Sequence, residues 1–157
     1  MLGTLKLPMW RGTFYTVYGG PYYECPETAF GVKLAVEINE TCDVSLPIKD
    51  FSVPTKNDAL RGLYAVVEAV LSGQLVYVGC MGGKGRTGLF LSLLAKAWGI
   101  ENPIQFVRKN YYPHAVETTG QIKFVTDFDI PSDLRWAINV AKFWSLFSFR
   151  KNLTTPI

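Results

Sequence analysis

Cys80 and Arg86 are the two side chains best suited to chemistry, and they bracket a glycine-rich run, Cys80-Met81-Gly82-Gly83-Lys84-Gly85-Arg86-Thr87-Gly88. A thiol at the mouth of such a loop faces backbone N–H groups and a helix N-terminus, which favour its thiolate form. An arginine at the far end can hold two phosphate oxygens at once. A thiolate aimed into a phosphate cradle points to covalent phosphoryl transfer. Thr87, directly after the arginine, can donate a hydrogen bond to sulfur and ease its departure; the same residue also suits a helix cap, and the two roles are compatible.

The elements that must position these groups are legible around them. Leu75 to Val78 is apolar and β-favouring, as a central parallel strand should be. Gly82, Gly83, Gly85 and Gly88 allow a sharp turn. Phe90, Leu91, Leu93, Leu94 and Trp98 are spaced as the buried side of a helix. A strand, a glycine loop and a helix start together form an anion site. Two other loop types share this frame. Gly83 to Gly88 reads G-x-G-x-x-G, but a dinucleotide site needs a second strand ending in an acid roughly 20 residues on. Ile100-Glu101-Asn102-Pro103-Ile104 is no such strand. A triphosphate loop needs a hydroxyl after its lysine, and Gly85 follows Lys84. Neither alternative uses Cys80 or Arg86.

Cys80 to Thr87, read as C-x-x-G-x-x-R-[ST], resembles the catalytic loop of cysteine-dependent protein tyrosine and dual-specificity phosphatases. The plain alternative is a structural cysteine in a chance loop. The resemblance implies a nucleophilic Cys80, with Arg86 and the backbone of Met81, Gly82, Gly83, Lys84 and Gly85 binding the substrate phosphate. The leaving oxygen then needs a proton, which a carboxylic acid can supply. Pro47-Ile48-Lys49-Asp50-Phe51-Ser52-Val53-Pro54 resembles the general-acid loop of the dual-specificity branch, with Asp50 as the acid; otherwise Asp50 is a surface-turn aspartate. Glu117-Thr118-Thr119-Gly120-Gln121, followed by Phe124-Val125, resembles the segment whose glutamine orients the hydrolytic water. Gln121 would then be that residue rather than a solvated helix position. The resemblance spans residues 30 to about 128. It implies a hydrolase acting in dephosphorylation through a phosphocysteine intermediate, with no cofactor and no metal.

One departure stands out. Most members carry histidine before the cysteine, and this chain has Gly79. The expectation is a slower enzyme or one with a more alkaline rate profile. The implied substrate is a phosphorylated protein. Alternatives are a phosphoinositide or other small phosphate ester, for which Lys84 would supply an extra cation, an RNA 5′-triphosphate end, or a phosphate-binding pseudophosphatase. Tyr22, Tyr23 and Phe51 are candidate pocket walls.

The totals fit this reading. At 157 residues and 48% apolar the chain can fill the core of a single phosphatase domain spanning 1–157. A net charge of +3 with scattered bases is too weak to argue nucleic-acid binding. Cys25, Cys42 and Cys80 are too few for a disulfide framework or zinc site, though Cys42 or Cys25 could serve as a resolving thiol for Cys80. Met1 to Lys6 does not read as a signal peptide, and a reducing cytoplasmic setting is expected.

Along the chain, residues 1–24 read as one or two short edge strands, followed by strands at Val32–Val36 and Val44–Ile48. The second of these is placed beside the central strand. Asp58 is expected to cap a helix burying Leu60, Leu63, Tyr64, Val67, Val70 and Leu71. Further helices are expected from Pro103, from Thr118 or Thr119, and from Pro131 through about Phe149. The expected fold is α/β, a central and mostly parallel sheet flanked by helices, with the phosphate loop between the central strand and its helix. The last helix, spanning 131–150, is aromatic on more than one face. Packing on the sheet is one reading of it, and a membrane-surface or partner contact is the other.

Overall fold

Five strands form one sheet in a computed structural model that describes residues 1–147: β1 (Gly3–Pro8), β2 (Phe14–Pro21), β3 (Phe30–Ala35), β4 (Val44–Ile48) and β5 (Val76–Cys80). Their order is β1-β2-β5-β3-β4. Only β1 runs antiparallel to its neighbour; β2, β3 and β4 pair in parallel. Helices α1 (Lys56–Leu71), α2 (Gly85–Ala97), α3 (Pro103–Asn110), α4 (Thr119–Asp127) and α5 (Ser132–Trp144) flank the sheet. The expected α/β architecture is therefore present, with β5 at its centre.

β5 is central because nothing in it needs water. All five of its residues are buried. Val76 and Val78 join the core with Leu89 and Leu93 of α2, each worth roughly 1.5–3 kcal/mol of burial. Tyr77 alternates to the other face, where its hydroxyl donates to Pro21 O at 2.9 Å.

Several expectations shift. The aromatic N-terminus makes two strands, but only β1 is an edge. β2 lies inside the sheet with Pro21 beside Cys80 in register. Its buried run Tyr15-Thr16-Val17 lacks the alternation by which a half-exposed strand is recognised. β4 does not touch β5, because β3 lies between them and leaves β4 at the far edge. Helix α1 starts earlier than expected: Thr55 is its cap, accepting from the Asp58 N–H at 3.1 Å, so Asp58 sits within the first turn. Its buried face is also rotated. Ala59 and Val66 are buried, while Tyr64 is exposed and donates to the Asp133 carboxylate at 2.7 Å. The last helix ends at Trp144, with turns over Ser145–Phe147; Phe149, Arg150 and Lys151 lie outside the described residues.

Candidate active site

Cys80 is the last residue of β5, and the chain turns there through Met81–Lys84 into α2. It is buried, and Thr87 Oγ1 lies 3.2 Å from its sulfur. The first turn of α2 has no side-chain cap at Lys84. Its N–H groups are therefore left for an anion, with the positive end of the helix dipole behind them.

The loop's shape is fixed from outside. Gly83 has φ +70 and packs against the Gly20 backbone so closely that any Cβ would collide. Its carbonyl accepts from the Tyr111 hydroxyl at 2.6 Å. Burial pushes the Tyr111 phenol well above its ordinary pKa and that of Tyr77 to about 12, so both remain donors. Gly85 has the Glu117 carboxylate against it, in the space a Cβ would take, so a larger residue there would require the Glu117 side chain to move.

Arg86 is buried and forked onto Glu37. Nη1 donates to Oε2 at 2.9 Å and Nη2 to Oε1 at 2.7 Å, while Nη1 also reaches Ile48 O at 3.0 Å. Burial opposes the guanidinium charge, but the Glu37 hydrogen bonds outweigh it and raise the arginine pKa. The same bonds hold the Glu37 carboxyl below its ordinary value. Asp50 Oδ1 lies 3.1 Å from Arg86 Nη2, and the Asp50 side chain is largely exposed.

These groups meet in a cavity of about 200 Å³. Cys80 and Arg86 line it together with Met81, Gly82, Lys84 and Gly85 of the loop. Asp50, Phe51 and Glu117 complete the walls. Phe51 (φ 54) and Val116 (φ 62) both adopt left-handed backbone next to these wall residues. Each costs about 1–3 kcal/mol, the kind of strain that collects where geometry serves a site. Arg108 holds the second one, donating to Ala115 O and Val116 O at 2.9 Å.

Of the residues singled out by sequence, Cys80, Asp50, Arg86, Met81, Gly82, Lys84 and Gly85 converge on this cavity, and Thr87 sits against the sulfur. Gly83 does not line it; its carbonyl and α-carbon are turned to Tyr111 and Gly20. Lys84 Nζ lies 5.6 Å from the centre of the Tyr112 ring. Gln121 also lies off the cavity. It is fully buried: Oε1 accepts from Glu117 N at 2.8 Å, and Nε2 donates to Ser52 O at 3.2 Å. Both ends of its amide thus tie the α4 start to the loop carrying Asp50. Phe51 is a wall as expected, whereas Tyr22 is buried with its hydroxyl donating to Thr41 O. Tyr23 does not line the cavity. Cys25 and Cys42 line a different cavity, about 380 Å³, of which Cys80 is not a wall.

Glu37 and Tyr111 were not legible as site residues, because each reaches the loop across a large sequence separation and no local pattern marks it. Glu117 stands in the segment that pointed to Gln121, but that segment gave it no role of its own. Gly79 acquires a physical reason. A Cβ there would stand 2.8 Å from Tyr22 Cα and 2.9 Å from Gly20 O, so the turn after β2 occupies the space a side chain needs.

Residues 28–128 match the family model PTP-SAK, a Swiss Army Knife protein, DSP-PTPase phosphatase domain. The chain belongs to this phosphatase family. It is 41% identical over 83 residues to an uncharacterized protein of Methanocaldococcus jannaschii, MJECL20, covering 53% of this chain and 56% of that one. Over 60 residues it is 35% identical to the triple specificity protein phosphatase PtpB of Mycobacterium tuberculosis, 36% of this chain and 22% of that one. Among solved structures, the active form of Tk-PTP superposes with a TM-score of 0.58 at 27% identity, covering 65% of this chain and 78% of that one. The chain thus spans about half the length of the Methanocaldococcus relative.

Proposed function

We propose that this chain is a working phosphoric monoester hydrolase that dephosphorylates protein side chains through a phosphocysteine. The observation that carries this reading is the convergence of the Cys80 sulfur, Arg86 and Asp50 on one cavity of about 200 Å³, with Thr87 Oγ1 3.2 Å from the sulfur. Sulfur attacks phosphorus; the S–P bond forms as the ester P–O bond breaks, and the leaving oxygen takes a proton from Asp50. Water then attacks phosphorus and gives its proton to Asp50, and the thiolate departs with Thr87 donating to it. Arg86 and the loop N–H groups hold the equatorial oxygens throughout.

The contact between Arg86 Nη2 and Asp50 belongs to the resting state. An arriving phosphate takes over that N–H and frees the Asp50 carboxyl for the leaving group. Glu37 keeps the guanidinium in place during the exchange, since it holds one N–H of Nη1 and one of Nη2 and leaves the second Nη2 N–H to pass from Asp50 to the phosphate. Gln121 acts here by positioning Ser52, and with it Asp50. At the cavity wall Asp50 and Glu117 stand against Lys84 and Arg86, so there is no surplus of positive charge for a multiply charged headgroup, which favours a single phosphate on a protein.

The test is phosphate release from an aryl phosphate, with chelator present, by wild type, Cys80→Ser and Asp50→Asn. Turnover that resists chelator, vanishes in Cys80→Ser and drops about 10²–10⁴-fold in Asp50→Asn is expected. Turnover surviving Cys80→Ser overturns the mechanism. Tight phosphate binding without turnover by wild type makes the protein a binder. Parallel assays on phosphotyrosine and phosphothreonine peptides and a phosphoinositide then rank the substrates.

A further inference from the structure

Helix α5 has two apolar stripes. One, through Leu134, Ile138 and Ala141, packs into the core. The other, Trp136 and Phe143 with Phe147 continuing the line, points outward beside Trp144, and these four are 47% to 68% exposed. Trp10, in the turn between β1 and β2, joins them: its ring meets Phe143 edge-on with centroids 6.2 Å apart. Phe143 in turn stacks edge-on with Trp144 at 5.9 Å and with Phe147 at 5.6 Å. A contiguous exposed aromatic cluster of this kind marks an interaction site rather than ordinary surface.

The charges show what it meets. All 13 acidic residues lie between Glu24 and Asp133. The two described stretches that build the aromatic pole, 1–23 and 134–147, contain none; their charged side chains are Lys6 and Arg11, then Arg135 and Lys142. Of these, Arg11 adjoins Trp10, whereas Lys142 spends its ammonium on Trp98 O at 2.5 Å. A two-fold contact with a second copy would bring these acid-free stretches together, base against base. An anionic surface has the complementary charge, and tryptophan and phenylalanine suit the boundary between headgroups and acyl chains.

We infer that the Trp10–Phe143–Trp144–Phe147 cluster docks this protein on the surface of an anionic lipid bilayer. The placement also sets the orientation. Trp10 precedes the start of β2, while Cys80 pairs with the last residue of that eight-residue strand. The cluster and the cavity therefore sit at opposite ends of the sheet, about 23 Å apart along β2. A docked molecule turns Cys80 away from the bilayer that holds it, toward soluble substrates. The inference does not depend on turnover, and its test reads binding alone.

The full chain is co-sedimented with phosphatidylcholine vesicles that either contain or lack phosphatidylglycerol. Variants are Trp144→Glu/Phe147→Glu, Arg11→Glu and, as control, Tyr23→Glu, an exposed aromatic at the cavity end of the sheet. Expected is salt-sensitive binding to the anionic vesicles only. That binding falls at least tenfold in the double variant and about fivefold in Arg11→Glu, and it is unchanged in Tyr23→Glu. Absence of binding by wild type to anionic vesicles overturns the inference, as does equal loss in Tyr23→Glu. A concentration-dependent dimer in sedimentation equilibrium that Trp144→Glu/Phe147→Glu abolishes reassigns the cluster to a second copy and also overturns it.

Discussion

Replacing Gly79 by histidine, the residue that the resemblance leads one to expect before Cys80, should harm this protein rather than improve it. A Cβ at that position meets Tyr22 Cα at 2.8 Å, Gly20 O at 2.9 Å and Tyr22 Cβ at 3.0 Å. The first two are backbone atoms of the strand and turn that pair beside Cys80, so no rotamer change relieves the contact. Gly79→Ala alone therefore overpacks the site and should cost about 1–3 kcal/mol. At roughly 2–4 °C per kcal/mol for a chain of this size, Tm should fall by about 2–12 °C. Gly79→His must also place a ring and should cost more. Displacing Cys80 by a few tenths of an ångström to an ångström should lower kcat up to about 10²-fold. The assay is urea unfolding of wild type, Gly79→Ala and Gly79→His, with aryl phosphate turnover followed across pH for each. A Gly79→His protein that unfolds at the wild-type midpoint and turns over faster would refute the reasoning. The glycine would then be an accident and the close approach of the Tyr22 turn unimportant.

Glu37 should stabilise the protein only when ionised. Its folded pKa lies below the ordinary value, so the unfolded chain binds its proton first as pH falls. The stability gap between wild type and Glu37→Gln should be full above the ordinary carboxylate range of about 4.3 and should close as pH falls below it. Urea midpoints at neutral pH and in that acid range check the sign; a gap that widens in acid refutes it. Gln121→Ala leaves Ser52 O and the Glu117 N–H without their partner in a buried setting, at about 1–3 kcal/mol. It should also lower kcat with KM little changed, because Asp50 loses its support while Arg86 does not. A rise in KM alone would assign Gln121 to substrate binding instead.

Much of the site was legible because its logic is local. Cys80, the loop glycines, Arg86 and Thr87 are consecutive, and a strand, a tight turn and a helix start dictate where their N–H groups point. Asp50 was legible through its proline-bearing loop after β4. The sequence left the helix start open between Thr118 and Thr119, and the structure makes Thr118 the cap through its reciprocal bonds with Gln121. The sheet order was not legible, because a fully buried strand such as β2 carries no alternation to betray its neighbours.

The sequence by itself determined the α/β class, the glycine loop between the central strand and its helix, and the placing of Cys80 and Arg86 at that loop, since each rests on residue type and short spacing. Tertiary structure alone decided what surrounds that loop. Glu37 reaches Arg86 across 49 positions and Tyr111 reaches Gly83 across 28. Gln121 reaches Ser52 across 69, and Trp10 meets Phe143 through the fold. Contacts at such separations depend on how strands and helices stack, and no local periodicity records them. The same stacking explains why position 79 is a glycine: the space a side chain needs is filled by Tyr22, a residue 57 positions away that only the closed sheet brings beside it.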